Sequence, residues 1–290
     1  MKSMTRNWII IACVLIACGL GFGLAGLIAV GFDFDKLNNV GKSIENTYPV
    51  SDRFDGISID VSTADISFEE SKENKVEVYC KENEKLKHSV KVEGGVLKIK
   101  VVDERKWYEY ISFSFGSSFD SKIIIYLPKE MKESLKTMQI ETSTGDINLS
   151  DFTVSGMLKL ETSTGNMNIS KVKAGAIEID TSTGEMKLSD LSAESLKFDS
   201  STGDLLMTGS RFSKDLRIET STGDVKLSDC DADTVNIDTS TGDIHCTFLS
   251  EKMIKADSNT GKIKVPENNG NGGECRLNTS TGDITVAYAK

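Results

Sequence analysis

The apolar positions of the C-terminal half repeat. From Thr142 onward T-S-T-G recurs eight times with small variations, its glycines being Gly145, Gly165, Gly184, Gly203, Gly223, Gly242, Gly261 and Gly282, spaced 19 to 21 residues apart. Aligned on the glycine, apolar residues fall at offsets −7, −5, +2, +4 and +7. Around Gly184 these are Ile177, Ile179, Met186, Leu188 and Leu191, and around Gly242 they are Val235, Ile237, Ile244, Cys246 and Leu249. Alternation within each pair is the period of a half-buried strand. Self-similarity at a fixed period near 20 marks a stacked repeat. Each period therefore reads as one coil of an all-β β-solenoid: two strands and a corner.

Between the strands the glycine supplies a positive φ at little steric cost, and neighbouring hydroxyls bond the turn amides. Thr142, Thr162, Thr181, Ser200, Thr220, Thr239, Ser258 and Thr279 lie three residues before the glycines, on the parity of the apolar columns. Stacked, they predict an internal hydroxyl ladder between coils.

Upstream, Ile57 to Phe68 fits the coil spacing with Ala64 at the glycine position, a degenerate first coil. Residues 75–127 alternate without the period. Val76, Val78 and Cys80 read as a strand, Ser89 to Val101 as a hairpin turning at Gly94-Gly95, and Lys122 to Leu127 as a strand stopped by Pro128. Trp107, Tyr108, Tyr110, Phe113, Phe115 and Phe119 gather between them. A solenoid needs an atypical terminal unit over the end of its core, so this region is expected to be a cap. At the far end, Asn268 to Gly273 stands where the +7 corner of the Gly261 coil belongs. Gly282 then opens a final half-coil, whose last strand is expected to be an open edge blunted by Lys290.

Trp8 to Gly31 is a 24-residue run without a charge, long enough for a transmembrane helix. Lys2 and Arg6 precede it and Asp33 and Asp35 follow, which puts the N-terminus in the cytoplasm and the repeats outside. Leu15-Ile16-Ala17-Cys18 offers a lipoprotein alternative, cleaved and lipidated at Cys18. Against it, the apolar run continues thirteen residues past that cysteine. The expected organisation is a cytoplasmic tail (1–7), a membrane helix (8–31), a linker (32–46), an N-terminal β region with the degenerate coil (47–135) and the repeat solenoid (136–290).

Beyond the membrane run the chain has 32 Lys and Arg (34 less Lys2 and Arg6) against 44 Asp and Glu, a net charge of −12. That balance excludes nucleic acid as a partner class. Cys80, Cys230, Cys246 and Cys275 fall on inward positions and read as small buried hydrophobes rather than a disulfide or metal framework.

Two acidic columns flank the turn. Glu141, Glu161, Asp180, Asp199, Glu219, Asp238 and Asp257 lie four residues before the glycines, and Asp146, Glu185, Asp204, Asp224, Asp243 and Asp283 directly follow them. In coils about 4.8 Å apart, neighbouring carboxylates repel by about 1 kcal/mol even at the dielectric of water. Calcium, which takes roughly six to eight oxygens, would relieve that repulsion, and the second column is the candidate metal set. Yet Asn166 and Lys262 interrupt it, and Asn278 ends the first column. Lys159, Lys197, Arg217, Lys255 and Arg276 stand two residues before the first column on the same face, so local ion pairing is the simpler account.

Paired carboxylates also serve glycosidases, and a solenoid enzyme acting on wall glycans is the alternative reading. A catalytic pair needs one asymmetric cleft, whereas every pair here is repeated. His88 and His245 are the only histidines and stand far apart, His245 on an outward position; P-loop, G-x-S-x-G and C-x-x-C signatures are absent. No catalytic or cofactor-binding residue is assigned.

The T-S-T-G-D repeats, following a membrane helix and an irregular β segment that ends in Tyr126-Leu127-Pro128, resemble the bacterial putative-adhesin family that includes LiaG-like proteins. The resemblance covers about Val50 to Lys290. It implies a cell-envelope protein, most often Gram-positive, without catalytic residues to carry over. The expectation is thus a single-pass, non-enzymatic protein integral to the membrane. It would act in adhesion, envelope structure or stress sensing, and would meet a cell-wall or surface polymer or another envelope protein.

Overall fold

The computed structural model describes residues 42–103, 121–267 and 272–289, and five isolated helical positions, Leu15, Ile16, Gly19, Gly21 and Ile28. The rest of the Trp8 to Gly31 run lies outside the described residues, as do the aromatics from Trp107 to Phe119. Among the described residues no helix is long and apolar enough to cross a membrane.

The chain is all-β. Strands β8 (Thr137–Thr144), β9 (Ile147–Thr164), β10 (Met167–Thr183), β11 (Met186–Ser189), β12 (Ser192–Thr202), β13 (Leu205–Thr208), β14 (Arg211–Thr222), β15 (Val225–Thr241) and β16 (Ile244–Phe248) form the repeat, each pairing in parallel with the segment one period away. Met167 stands beside Ile147 on one side and Met186 on the other, and Ile179 beside Leu160 and Phe198. The stack is solenoid-like. Strands β9, β10 and β15 run unbroken through the far corner and so tie the faces into one twenty-stranded sheet.

Alternation fills the core as the apolar columns require. From Met138 to Cys246, every residue at −7, −5, +2 and +4 is at most 3% exposed. The +7 column fails once: around Gly242, Leu249 is 38% exposed and Phe248 is buried instead, opposite Cys230. The cause is a residue the sequence reading did not place. Asp151, Lys171, Asp190, Gly209 and Asp229, each at +6, have φ of 52° to 60° and turn the corner in the left-handed region. At Gly242 the +6 residue is Phe248 itself, still in its strand, so the column advances by one.

Both ends of the stack leave sequence order. At the C-terminal end β17 (Lys252–Thr260) and β18 (Ile263–Lys264) are outermost, while β19 (Gly273–Thr281) and β20 (Ile284–Tyr288) lie between them and β15–β16. The spatial order of turns is therefore Gly242, Gly282, Gly261. This corrects the expectation of an open last strand: β20 has partners on both sides, and the free edge belongs to the Gly261 coil. There Ile263 and Val265, at core positions +2 and +4, are 44% and 36% exposed.

The N-terminal end mirrors this. Strands β2 (Gly56–Thr63) and β3 (Asp65–Glu70) form the degenerate coil, stacked on β8 and β9. Farther out come β4 (Val76–Asn83) and β5 (Leu86–Glu93). The chain then returns through β6 (Val96–Asp103) and β7 (Lys122–Leu127), which pair in parallel with β2 and β3 and antiparallel with β5 and β4. Gly94 and Gly95, with φ of 62° and 77°, make the tight turn between β5 and β6. Strand β1 (Ser43–Val50) adds antiparallel to β4, so strand structure begins inside the stretch read as a linker. Helix α1 (Lys129–Lys132) leads into the repeat, and Lys132 lies 4.9 Å over the Phe152 ring.

Candidate functional site

Where each coil bends into its turn, residues at −4, −3 and −2 line a groove of about 1000 Å³ from Asp60 to Ser280. Its walls are three columns: carboxylates, threonines and serines. Alternation turns the −4 carboxylates outward. Three of them meet the base two residues earlier: Lys159 with Glu161 at 2.6 Å, Lys197 with Asp199 at 2.5 Å, and Arg217 Nε with Glu219 at 2.8 Å. The Gly184 coil has an acid, Glu178, at the position where five of the other coils have a base. Burial, then the charge of Asp199, hold the Asp180 carboxyl above its ordinary range. Asn278 sits between Asp238 and Asp257 in space and donates to Asp238 at 2.5 Å.

The −3 hydroxyls do not form a ladder with one another. Like side chains in parallel register are about 4.8 Å apart, beyond hydrogen-bond reach. Instead, Thr142 donates to Thr144 O at 3.3 Å, Thr279 to Gly242 O at 3.1 Å and Ser258 to Gly282 O at 2.9 Å. The buried hydroxyls of Thr162, Thr181, Ser200 and Thr239 have no partner among the described residues.

The +1 acids are held by backbone. Asp65 accepts from the Asp146 N–H at 2.9 Å, Asp146 from the Asn166 N–H at 2.7 Å, and Asn166 from the Glu185 N–H at 2.9 Å. The series continues with Asp204 to Asp224 at 2.9 Å, Asp224 to Asp243 at 2.8 Å, Asp243 to Asp283 at 2.7 Å and Asp283 to Lys262 at 2.7 Å. Each Asp or Asn of the series satisfies the next turn amide, which bends too sharply for the ladder; Glu185, with its longer side chain, instead pairs with Lys187 at 2.9 Å. Both interruptions then make sense: an asparagine oxygen accepts as well as a carboxylate, and Lys262 is in the outermost coil with no turn beyond it. Turn-amide bonds thus hold the aspartates of the candidate metal column, and an ion pair holds Glu185.

The glycines carry the close approach of turns. Gly145, Gly165, Gly184, Gly203, Gly223, Gly242 and Gly282 have φ from 139° to 155°. A Cβ on Gly223 would stand 2.1 Å from Gly203 O. Gly261 lacks the positive φ, yet its Cβ would meet Gly282 O at 1.9 Å.

Sequence reasoning missed one cluster. Glu82 and His88, both buried in the cap, join at 2.7 Å beside Cys80, a free thiol. The signal was present in the inward parity of Val76, Val78, Cys80 and Glu82, a strand face that ends in a charge. His245 is exposed.

This is an all-β stacked-repeat protein with a capped end and a polar groove along the stack. Residues 54–290 match the family described as Toastrack DUF4097, and the chain belongs to that family. Its fold is similar to the crystal structure of a putative adhesin from Bacteroides fragilis NCTC 9343, at 16% identity over 84% of this chain and 97% of that one, with a TM-score of 0.54. A putative lipid binding protein from Parabacteroides distasonis ATCC 8503 matches at 21% identity over 86% and 98%, with a TM-score of 0.49. No curated protein matches the chain.

Proposed function

We propose that this chain is a non-enzymatic protein of the cell envelope, anchored by the Trp8 to Gly31 segment with its stack outside, and that the groove binds a repetitive polymer. The observation that carries the reading is the groove itself: a carboxylate, a threonine and a serine recur in most coils from Asp60 to Ser280, with Val61, Ser200, Asn259 and Asn278 as the departures. A row of hydrogen-bond acceptors and hydroxyls at a fixed rise suits a ligand that also repeats. The carboxylates repel polyanions, so the fitting class is a neutral, hydroxyl-rich glycan. Catalysis would require one residue set to differ from its neighbours, whereas the described acids of the groove are shared among coils.

Length dependence tests this. Glycan oligomers of increasing length should bind the purified protein with affinity that rises with each added segment, because the contacts are modest and spread over coils. Excising Leu196 to Asp215, which joins Ser195 to Leu216 in register, should leave a folded protein and weaken binding to long chains. Asp224→Asn and Asp243→Asn should have little effect. Release of reducing ends from wall glycans, abolished by a single Asp→Asn change, would reject the reading in favour of an enzyme.

A further inference from the structure

The cap holds a charged cluster in its buried interior. Cys80 and Glu82 share the inward face of β4, and His88 enters from β5 across the Asn83 to Leu86 turn. One ligand atom from each lies within 4.8 Å of the other two, and the residues are 0%, 0% and 5% exposed. The carboxylate is fully engaged. Asn46 Nδ2 at 2.6 Å and the Tyr48 hydroxyl at 2.7 Å donate to Oε1; the His88 backbone N–H at 2.5 Å and ring Nδ1 at 2.7 Å donate to Oε2. An imidazole that gives its Nδ1–H to a carboxylate carries a bare lone pair on Nε2. His88 Nε2 is buried and has no hydrogen-bond partner among the described residues.

We propose that this cluster is a binding site for zinc or a comparably soft divalent ion, with Cys80 Sγ and His88 Nε2 as donors and Glu82 as the residue that positions the imidazole. Thiolate and imidazole are the donor pair such ions select, at about 2.3 Å for sulfur and about 2.0 Å for nitrogen. A carboxylate on the far nitrogen is the usual means of fixing a metal-bound histidine. Coordination also gives the orphaned lone pair its partner.

Charge supports a divalent ion. Four donors converge on the two Glu82 oxygens, the environment of an ionised carboxylate. With a neutral thiol and imidazole the cap therefore buries a net −1. When the ion binds, the Cys80 S–H bond breaks, a sulfur–metal bond forms and one proton leaves to water. Two positive charges then face a thiolate and a carboxylate, and the site is neutral. A coordinated thiol is deprotonated outright.

The test uses the full-length protein purified in detergent, stripped with a chelator and titrated with zinc, then with cobalt as a spectroscopic probe. One equivalent of zinc should bind with release of one proton, and cobalt should give a thiolate charge-transfer band. Cys80→Ser should abolish the band, Glu82→Gln should weaken zinc binding about 10- to 100-fold, and Cys230→Ser should change neither. A measurement on the unaltered chain guards against variants that fail to fold: zinc should slow alkylation of Cys80 more than that of Cys230, Cys246 and Cys275. Absence of stoichiometric uptake, a band that survives Cys80→Ser, or equal slowing at Cys80, Cys230, Cys246 and Cys275 would overturn the proposal.

Discussion

A turn in this stack asks two things of its residues, a missing side chain and a short acceptor. Gly223 meets the first, because any Cβ would overlap Gly203 O. Gly223→Val should cost about 2–4 kcal/mol, read as a lower denaturation midpoint. Hydrogen exchange should also quicken across residues 205–240. Asp224 meets the second by accepting the Asp243 N–H. Asp224→Ala should cost about 1–2 kcal/mol, the price of a stranded amide, while Asp224→Asn should cost less than about 0.5 kcal/mol, since Asn166 already fills the same role. Equal losses from both variants, or a loss reversed by calcium, would return the column to the metal reading. The glycine was legible in the sequence because only one residue type fits. The left-handed corner was not, because Asp, Lys and Gly all occupy it and share no letter.

At the scale of elements, cap and stack should answer acid in opposite directions. Glu82 holds its proton more weakly in the folded cap than in the unfolded chain, so its stabilisation is present above the ordinary carboxylate value of 4.5 and is lost as pH falls through its lowered folded value. Asp180 is raised, so the folded stack takes up that proton more readily and gains stability as pH falls through the raised value. Acidification below about pH 4.5 should therefore deprotect β1, β4 and β5 first, while amides near Asp180 keep or improve their protection. Exchange corrected for its intrinsic pH dependence measures this; simultaneous loss in both regions would mean that these two carboxyls do not govern the response. Strand positions were readable because alternation is a local signal. The Glu82–His88 contact was not, because it crosses a hairpin and its members differ from every repeat column.

At the scale of the whole molecule, the period gave the number of coils but not their order at the ends. Each coil presents the same inward columns, so Ile254 and Ala256 would sit in register beside Val235 and Ile237 as well as Cys275 and Leu277 do. Nothing in residue type separates the two stackings. The chain path is decided by what lies between coils, including Lys252, whose buried ammonium reaches Ala232 O at 2.6 Å and Asp231 at 2.5 Å, and Tyr288, whose hydroxyl accepts the Lys252 N–H at 3.1 Å. Orientation toward the membrane is testable at the other end. Ser43 is exposed at the start of β1, and Ser43→Cys, with the buried cysteines changed to alanine, should react with an impermeant maleimide on intact cells. Labelling only after lysis would reject an outward stack.

The inserted last coil also has a mechanical meaning. A tether held at the membrane and pulled at Lys290 would, in a stack laid down in simple sequence order, peel one coil at a time, each step opening a single ladder. Here β20 is held by β16 and β18 together and β19 by β15 and β17, so the first rupture must open two ladders at once. Force spectroscopy on the full chain should show a first peak higher than those that follow. Deleting residues 268–290 should remove that peak and leave a sawtooth of equal steps. A latch placed where the load enters would let the protein bear drag that a plain stack of the same strands would yield to.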